Sequence, residues 1–226
     1  MHKVIATTLT AIACLVSIGA GPFGHAAGNA TPATQMDGAN PGWTLAVPAY
    51  RVLSRVTFFV AIDKAKALGL KAIEGRPYRI SDETGDAILD ATAPDDILAK
   101  CRKKLTDAGL QLTSYYAGDC GKNVAAMRQL FEFGRKMGIQ ILVAEPRPET
   151  LATLDRLTRE FGIRVAIHNH PRRSQDTRYT NWDPDQVMRM IGKYSKRIGC
   201  CADTGHWIRS GLDPVECLRK YQGRLM

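Results

Sequence analysis

The chain has 226 residues, 45% of them hydrophobic and 7% aromatic, with 31 Lys and Arg against 22 Asp and Glu for a net charge of +9. That length can bury a proper core in one domain; 20 Gly and 11 Pro in a mixed background exclude a collagen-like or wholly disordered chain, and six Cys are too sparse for a disulfide scaffold. The long apolar run lies at the extreme N-terminus, which excludes a polytopic membrane protein.

Met1-His2-Lys3 is a short basic start, residues 4–20 are apolar and uncharged, and Gly24-His25-Ala26-Ala27 supplies small residues suited to signal peptidase. Residues 1–27 therefore read as a secretory signal peptide. The mature chain is expected to be periplasmic or secreted, without stable membrane insertion. A single membrane anchor is the competing reading, but the run falls just short of spanning length. A lipoprotein reading through Cys14 is weakened by the apolar residues that continue after it. Residues 28–42 are rich in Gly, Ala, Pro, Asn and Thr and read as a flexible linker. Cys101, Cys120, Cys200, Cys201 and Cys217 remain, an odd set read as small buried hydrophobes with at most one incidental disulfide.

From residue 43 the chain alternates short β-type runs with helix-period segments. The strands are expected over 44–48, 71–74, 111–115, 140–144, 164–168 and 197–202, several of them continuously apolar as strands buried on both faces are. Helices are expected over 57–68, 94–108, 124–137, 148–161, 184–194 and 214–222. Asp183-Pro184 and Asp213-Pro214 mark two helix starts, and Gly109, Gly138, Gly162, Gly192 and Gly223 fall at or near helix ends. Lys100, Arg102, Lys103 and Lys104 share a helix with Ile97, Leu98, Cys101 and Leu105, so this run reads as a solvated face rather than a nucleic-acid patch. Regular β-α repetition implies a parallel sheet with helices outside, either a barrel or an open doubly-wound sheet. No Gly-x-Gly-x-x-Gly follows the first strand, which removes the main support for a dinucleotide site.

Polar residues gather at the C-terminal ends of these strands. Glu74 ends the second, Glu145 follows the fourth, His168-Asn169-His170 ends the fifth, and Asp203-Thr204-Gly205-His206-Trp207 follows the sixth. In a parallel barrel these points share one rim, where active sites are built. Taken singly each has a structural alternative: Glu145 as a helix start, His168 as a hydrogen-bonded wall residue, Asp203 as a turn former, Trp207 as core. Their common placement favours a site. Glu145, the His pair and Asp203 form a carboxylate–imidazole set suited to Mn²⁺, Mg²⁺, Co²⁺ or Zn²⁺.

The run from Val165 to Pro171, followed by Cys201-Ala202-Asp203-Thr204-Gly205-His206-Trp207, resembles the xylose isomerase-like TIM-barrel superfamily, and within it the sugar phosphate isomerase/epimerase group. The resemblance implies a (β/α)8 barrel over 43–226, with about six units present plus the start of strand seven. It also implies that Glu145 and Asp203 bind a divalent metal, and that His206 contacts substrate. A His after strand seven and a Glu after strand eight would complete the metal set. A full barrel takes about 250 residues, so the sequence reads as a fragment or as a six-unit remnant with an open sheet edge.

The implied reaction is proton transfer beside the carbonyl of a sugar or sugar derivative. Glu145 both binds metal and faces carbon, His170 and His206 serve at the hydroxyls, and Glu74, His168, Asn169 and Trp207 contact substrate. The alternatives are a dehydratase or lyase on a keto-sugar or keto-cyclitol, resembling inosose dehydratase, and a non-catalytic remnant. Endonuclease IV shares the barrel, but its three-metal site needs more His than the three here, so no nucleic-acid partner is expected. Arg172, Arg173 and Arg178 either meet a phosphate or form a solvated loop. The expected partner is a small carbohydrate, and a homo-oligomer is compatible with the sequence.

Overall fold

Each expected strand forms and each is followed by a helix. In the computed structural model, which describes residues 44–48 and 56–226, β1 is Ala46–Pro48, α1 Phe58–Ala67, β2 Ala72–Gly75, α2 Asp95–Ala108, β3 Gln111–Tyr116, α3 Val124–Met137 and β4 Ile141–Ala144. A single 3-10 turn, Pro148–Thr150, leads into α4 (Leu151–Phe161). Then come β5 (Arg164–Ile167), α5 (Pro184–Ile191), β6 (Ile198–Cys200), α6 (Thr204–Arg209) and α7 (Pro214–Lys220). The expected signal peptide and linker lie outside the described residues.

Every neighbouring pair is parallel, and the strand order is β1-β2-β3-β4-β5-β6. A doubly-wound sheet reverses its order at a switch point. This sheet does not, so the two architectures left open by the sequence resolve to consecutive units of a barrel. Leu225 makes a parallel bridge to Cys200, where the next barrel strand belongs. Gly199 is needed there, because a Cβ would collide with the Arg224 carbonyl and the Met226 side chain.

The helices form where local chemistry starts and stops them. Asn123 caps α3 by accepting from the Ala126 amide at 2.9 Å. Gly138 ends that helix in the left-handed region (φ 75°), which is open to glycine without steric cost. Strand residues Ile73, Leu112, Leu142, Val165, Ile167 and Ile198 are buried against Phe58, Ile62, Leu98, Leu105, Phe131, Leu154, Val187 and Ile191 from the helices. Each such side chain contributes about 1.5–3 kcal/mol of burial. The exposed face of α2 carries the basic run, with Lys103 paired to Asp107 at 2.7 Å and Lys104 to Asp63 at 2.6 Å.

Two local expectations change. Helix α5 stops at Ile191, because Asp155 accepts from both the amide and the hydroxyl of Ser195 and draws the chain out of the helix direction. Helix α6 was not expected at all. The five described cysteines are all free. Among the described residues, no helix is long and apolar enough to cross a membrane.

Candidate active site

Because the strands are parallel, their C-terminal ends emerge together, and the residues that follow converge. Glu145, His168 and Cys201 are each tied to a neighbour by a backbone bond: Glu145 donates to Gly118 (2.7 Å), His168 to Ala144 (2.8 Å) and Cys201 to Ile167 (2.9 Å). Asn169 then links the loops after β5 and β6. Its Nδ2 donates to the Asp203 carbonyl at 3.0 Å, and its Oδ1 accepts from the Asp203 amide at 2.9 Å. Asp203 in turn caps α6, accepting from the His206 amide at 2.9 Å.

Three imidazoles meet above this frame. The ring centroids of His168 and His170 are 4.7 Å apart, and those of His170 and His206 are 5.0 Å apart and stacked. One nitrogen of each ring lies within 4.8 Å of the others. Burial, followed by neighbouring His170, holds the His168 pKa down to about 4, so this ring stays neutral at physiological pH. Burial also lowers that of His206, whose Nδ1 contacts the Arg209 guanidinium.

Glu145 sits at the centre. Its Oε1 accepts from the Tyr116 hydroxyl at 2.9 Å and lies 2.6 Å from His170 Nδ1. That nitrogen is buried and has no hydrogen-bond partner, so the close approach lacks the alignment of a hydrogen bond. The Tyr179 hydroxyl accepts from the His170 amide at 2.6 Å and also bonds Glu145. Burial and Glu145 together push Tyr116 up to about 12 and raise Tyr179 as well, which keeps both as hydroxyl donors.

The other expected residues divide. Glu74 is held by the Ser114 hydroxyl at 2.9 Å on the neighbouring strand, and burial raises its carboxyl above the usual range. Asn169 is fully buried, with both ends of its amide spent on Asp203; it positions that residue instead of meeting a substrate. Trp207 is also a correction. It has no exposed surface and packs on Tyr221 with ring centroids 5.3 Å apart. Successive helical residues diverge by about 100°, so α6 turns Trp207 into the core while His206 faces the rim. The loop arginines fold back on their own loop: Arg172 over Trp182, Arg173 over Tyr179, and Arg178 beside Asp176. Tyr116 and Tyr179 were missed. Tyr116 ends β3 and could have been found by the same rim argument as Glu74, whereas Tyr179 lies in an aperiodic loop that gives no signal.

The family model of the xylose isomerase-like TIM barrel matches residues 62–225. The chain belongs to that family. Among solved structures, this xylose isomerase-like barrel is similar to an uncharacterized protein from Parabacteroides distasonis (25% identity, TM-score 0.68, 81% of this chain and 72% of that one). It is also similar to a sugar phosphate isomerase/epimerase from the same organism (16%, TM-score 0.59, 86% and 77%). A third likeness is to the 3-keto-D-glucoside 4-epimerase of E. coli (14%, TM-score 0.55, 75% and 72%). The last two are likenesses of fold. No curated protein matches the chain in sequence.

The barrel's rim residues fit a divalent cation. Carboxylates and neutral imidazoles are its usual ligands, and the partnerless Nδ1 of His170 beside Glu145 is the kind of buried lone-pair donor that an ion satisfies.

Proposed function

We propose that this barrel catalyses isomerisation or epimerisation of a sugar or sugar derivative by moving a proton next to a carbonyl. Glu145 carries the reading. It stands at the C-terminal end of β4, its side chain only 15% exposed, with the Tyr116 hydroxyl on one oxygen and Tyr179 fixing its orientation. A carboxylate so held is pre-positioned to take a proton from a carbon set above the rim. Asp203 is pinned by Asn169 and by its own cap on α6, and its remaining oxygen lies 3.3 Å from His206 Nε2. Glu145 and Asp203, with imidazole nitrogens in reach, would hold a divalent metal, which when bound polarises a substrate carbonyl. His170 and His206 face the same opening, either as partners of sugar hydroxyls or as further ligands. The epimerase of E. coli on the same fold supports the reaction class. Export to the periplasm or medium is part of the proposal, and N-terminal sequencing of the mature chain checks it.

The test is solvent exchange. The protein is incubated in D₂O with Co²⁺ or Mn²⁺ and a panel of ketoses and keto-glycosides, and deuterium at the carbon beside the carbonyl is followed by NMR. Wild type is expected to exchange, and Glu145→Gln to lose about 10²–10⁴ of that rate. Absence of exchange on every substrate overturns the proposal. An unsaturated, ultraviolet-absorbing product replaces it with elimination.

A further inference from the structure

Away from the rim, one cluster of charge has no part in the chemistry at Glu145. Arg164 opens β5, and Arg197 stands one residue before β6. The Arg164 amide donates to the Gln140 carbonyl and the Val165 amide to the Arg197 carbonyl, each at 2.9 Å. Gln140, Arg164 and Arg197 therefore form a row across the starts of three neighbouring strands, which lie about 4.8 Å apart. They line a cleft of about 390 Å³ together with Arg135 from the last turn of α3, and Phe161 and Ile163 form part of its apolar wall. No Asp or Glu lines it.

The positive charge is not cancelled locally. Among the described residues, nearby cations are paired, Arg128 with Glu160 and Lys136 with Asp95, but Arg135, Arg164 and Arg197 form no ion pair. The C-terminal ends of α3 and α4, capped by Gly138 and Gly162, each bring roughly −0.5 of charge to this space. Three guanidiniums outweigh both and leave about +2. A phosphomonoester carries about −1.5 to −2 at pH 7, and the guanidinium fork matches its oxygens. A bare phosphate would leave most of the cleft unfilled, because this volume falls in the small-molecule range of about 300–1,000 Å³. We propose that the cleft binds a phosphorylated small molecule. Its phosphate meets Arg135, Arg164 and Arg197, and its organic part lies against Phe161 and Ile163. This second site is at the opposite end of the strands from Glu145 and does not depend on the reaction there.

The experiment is calorimetric titration of the full chain after chelator treatment, so that no ion at the rim holds the phosphate. The probes are phenyl phosphate, glycerol phosphate and inorganic phosphate, in about 0.15 M salt to screen loose surface attraction. One equivalent of phenyl phosphate should bind, at least about tenfold more tightly than inorganic phosphate, because the ring buries apolar area. Glycerol phosphate should fall between them. Arg164→Ala with Arg197→Ala should weaken phenyl phosphate by about tenfold or more. Arg135→Gln should weaken it too, from the helix side and without touching the strands. Lys100→Ala with Lys103→Ala removes the same charge from the exposed face of α2, and should change affinity by less than about twofold. Equal binding of phenyl and inorganic phosphate would reduce the cleft to an adventitious anion patch. That result, an equal loss in the lysine pair, unchanged affinity in the arginine variants, or no saturable binding overturns the proposal.

Discussion

The two ends of the β-sheet differ in what their charge is for. At the end where the strands begin, clefts of about 390 and 440 Å³ are lined by Arg102, Arg135, Arg164 and Arg197 together with helix-end glycines. These cations are surface groups: Arg135 lies in the last turn of α3, where positive charge complements the helix end, and reaches over Phe161 at 5.2 Å. At the end where the strands finish, polar side chains are buried or half-buried, bonded to one another, and in His168, Tyr116 and Glu74 shifted by that burial. Open clefts and unpaired surface charge mark one end of this sheet, then, and bonded, desolvated side chains mark the other. Convergent, desolvated donors and acceptors point to the rim.

Substitutions can break that contrast, the largest in its effect being at Trp207. As a buried core residue it should cost about 3–5 kcal/mol as Trp207→Ala, measured by denaturant unfolding. Trp207→Phe should fold and keep solvent exchange, because the indole nitrogen has no partner to lose; loss of exchange in a stable Trp207→Phe would return this residue to the substrate site. Asn169→Ala comes next. It leaves the Asp203 amide without its partner while the carbonyl keeps the α6 amides, for about 1–3 kcal/mol, and should lower exchange together with stability. Glu74 gives the pH-dependent case. Burial raises its folded pKa above the ordinary 4.5, so between those two values the folded chain holds more protons than the unfolded one. Stability then falls as pH rises through that window. Glu74→Gln should remove the slope and raise the melting temperature at pH 7 by about 2–4 °C. The smallest effect is expected at the opposite end, where Arg164→Ala with Arg197→Ala should leave exchange unchanged and stability within about 0.5 kcal/mol per site.

Much of this was legible in the sequence because the signals were local. Helix α3 forms over the residues expected, since Asn123 and Gly138 mark both of its ends. Placement of Glu145, His168, His170, Asp203 and His206 on one rim followed from β-α alternation alone. The misses concern where side chains go within short or irregular segments. Helix α6 is too brief to show an apolar stripe, so the structural alternative weighed for Asp203 was a turn former, whereas its side chain caps a helix. The inward turn of Trp207 depended on that unseen helix. Asn169 carries no mark of its pairing with Asp203, which comes from a distant part of the chain, and Tyr179 reaches Glu145 from a loop without periodicity.

The most direct measurement is an anomalous-scattering map from crystals of the full chain grown with Co²⁺ and a ketose. The account predicts a cobalt peak beside Glu145 and Asp203, with sugar density above Glu145. A rim without cobalt, or sugar seated in the cleft beside Arg164 and Arg197, would contradict it.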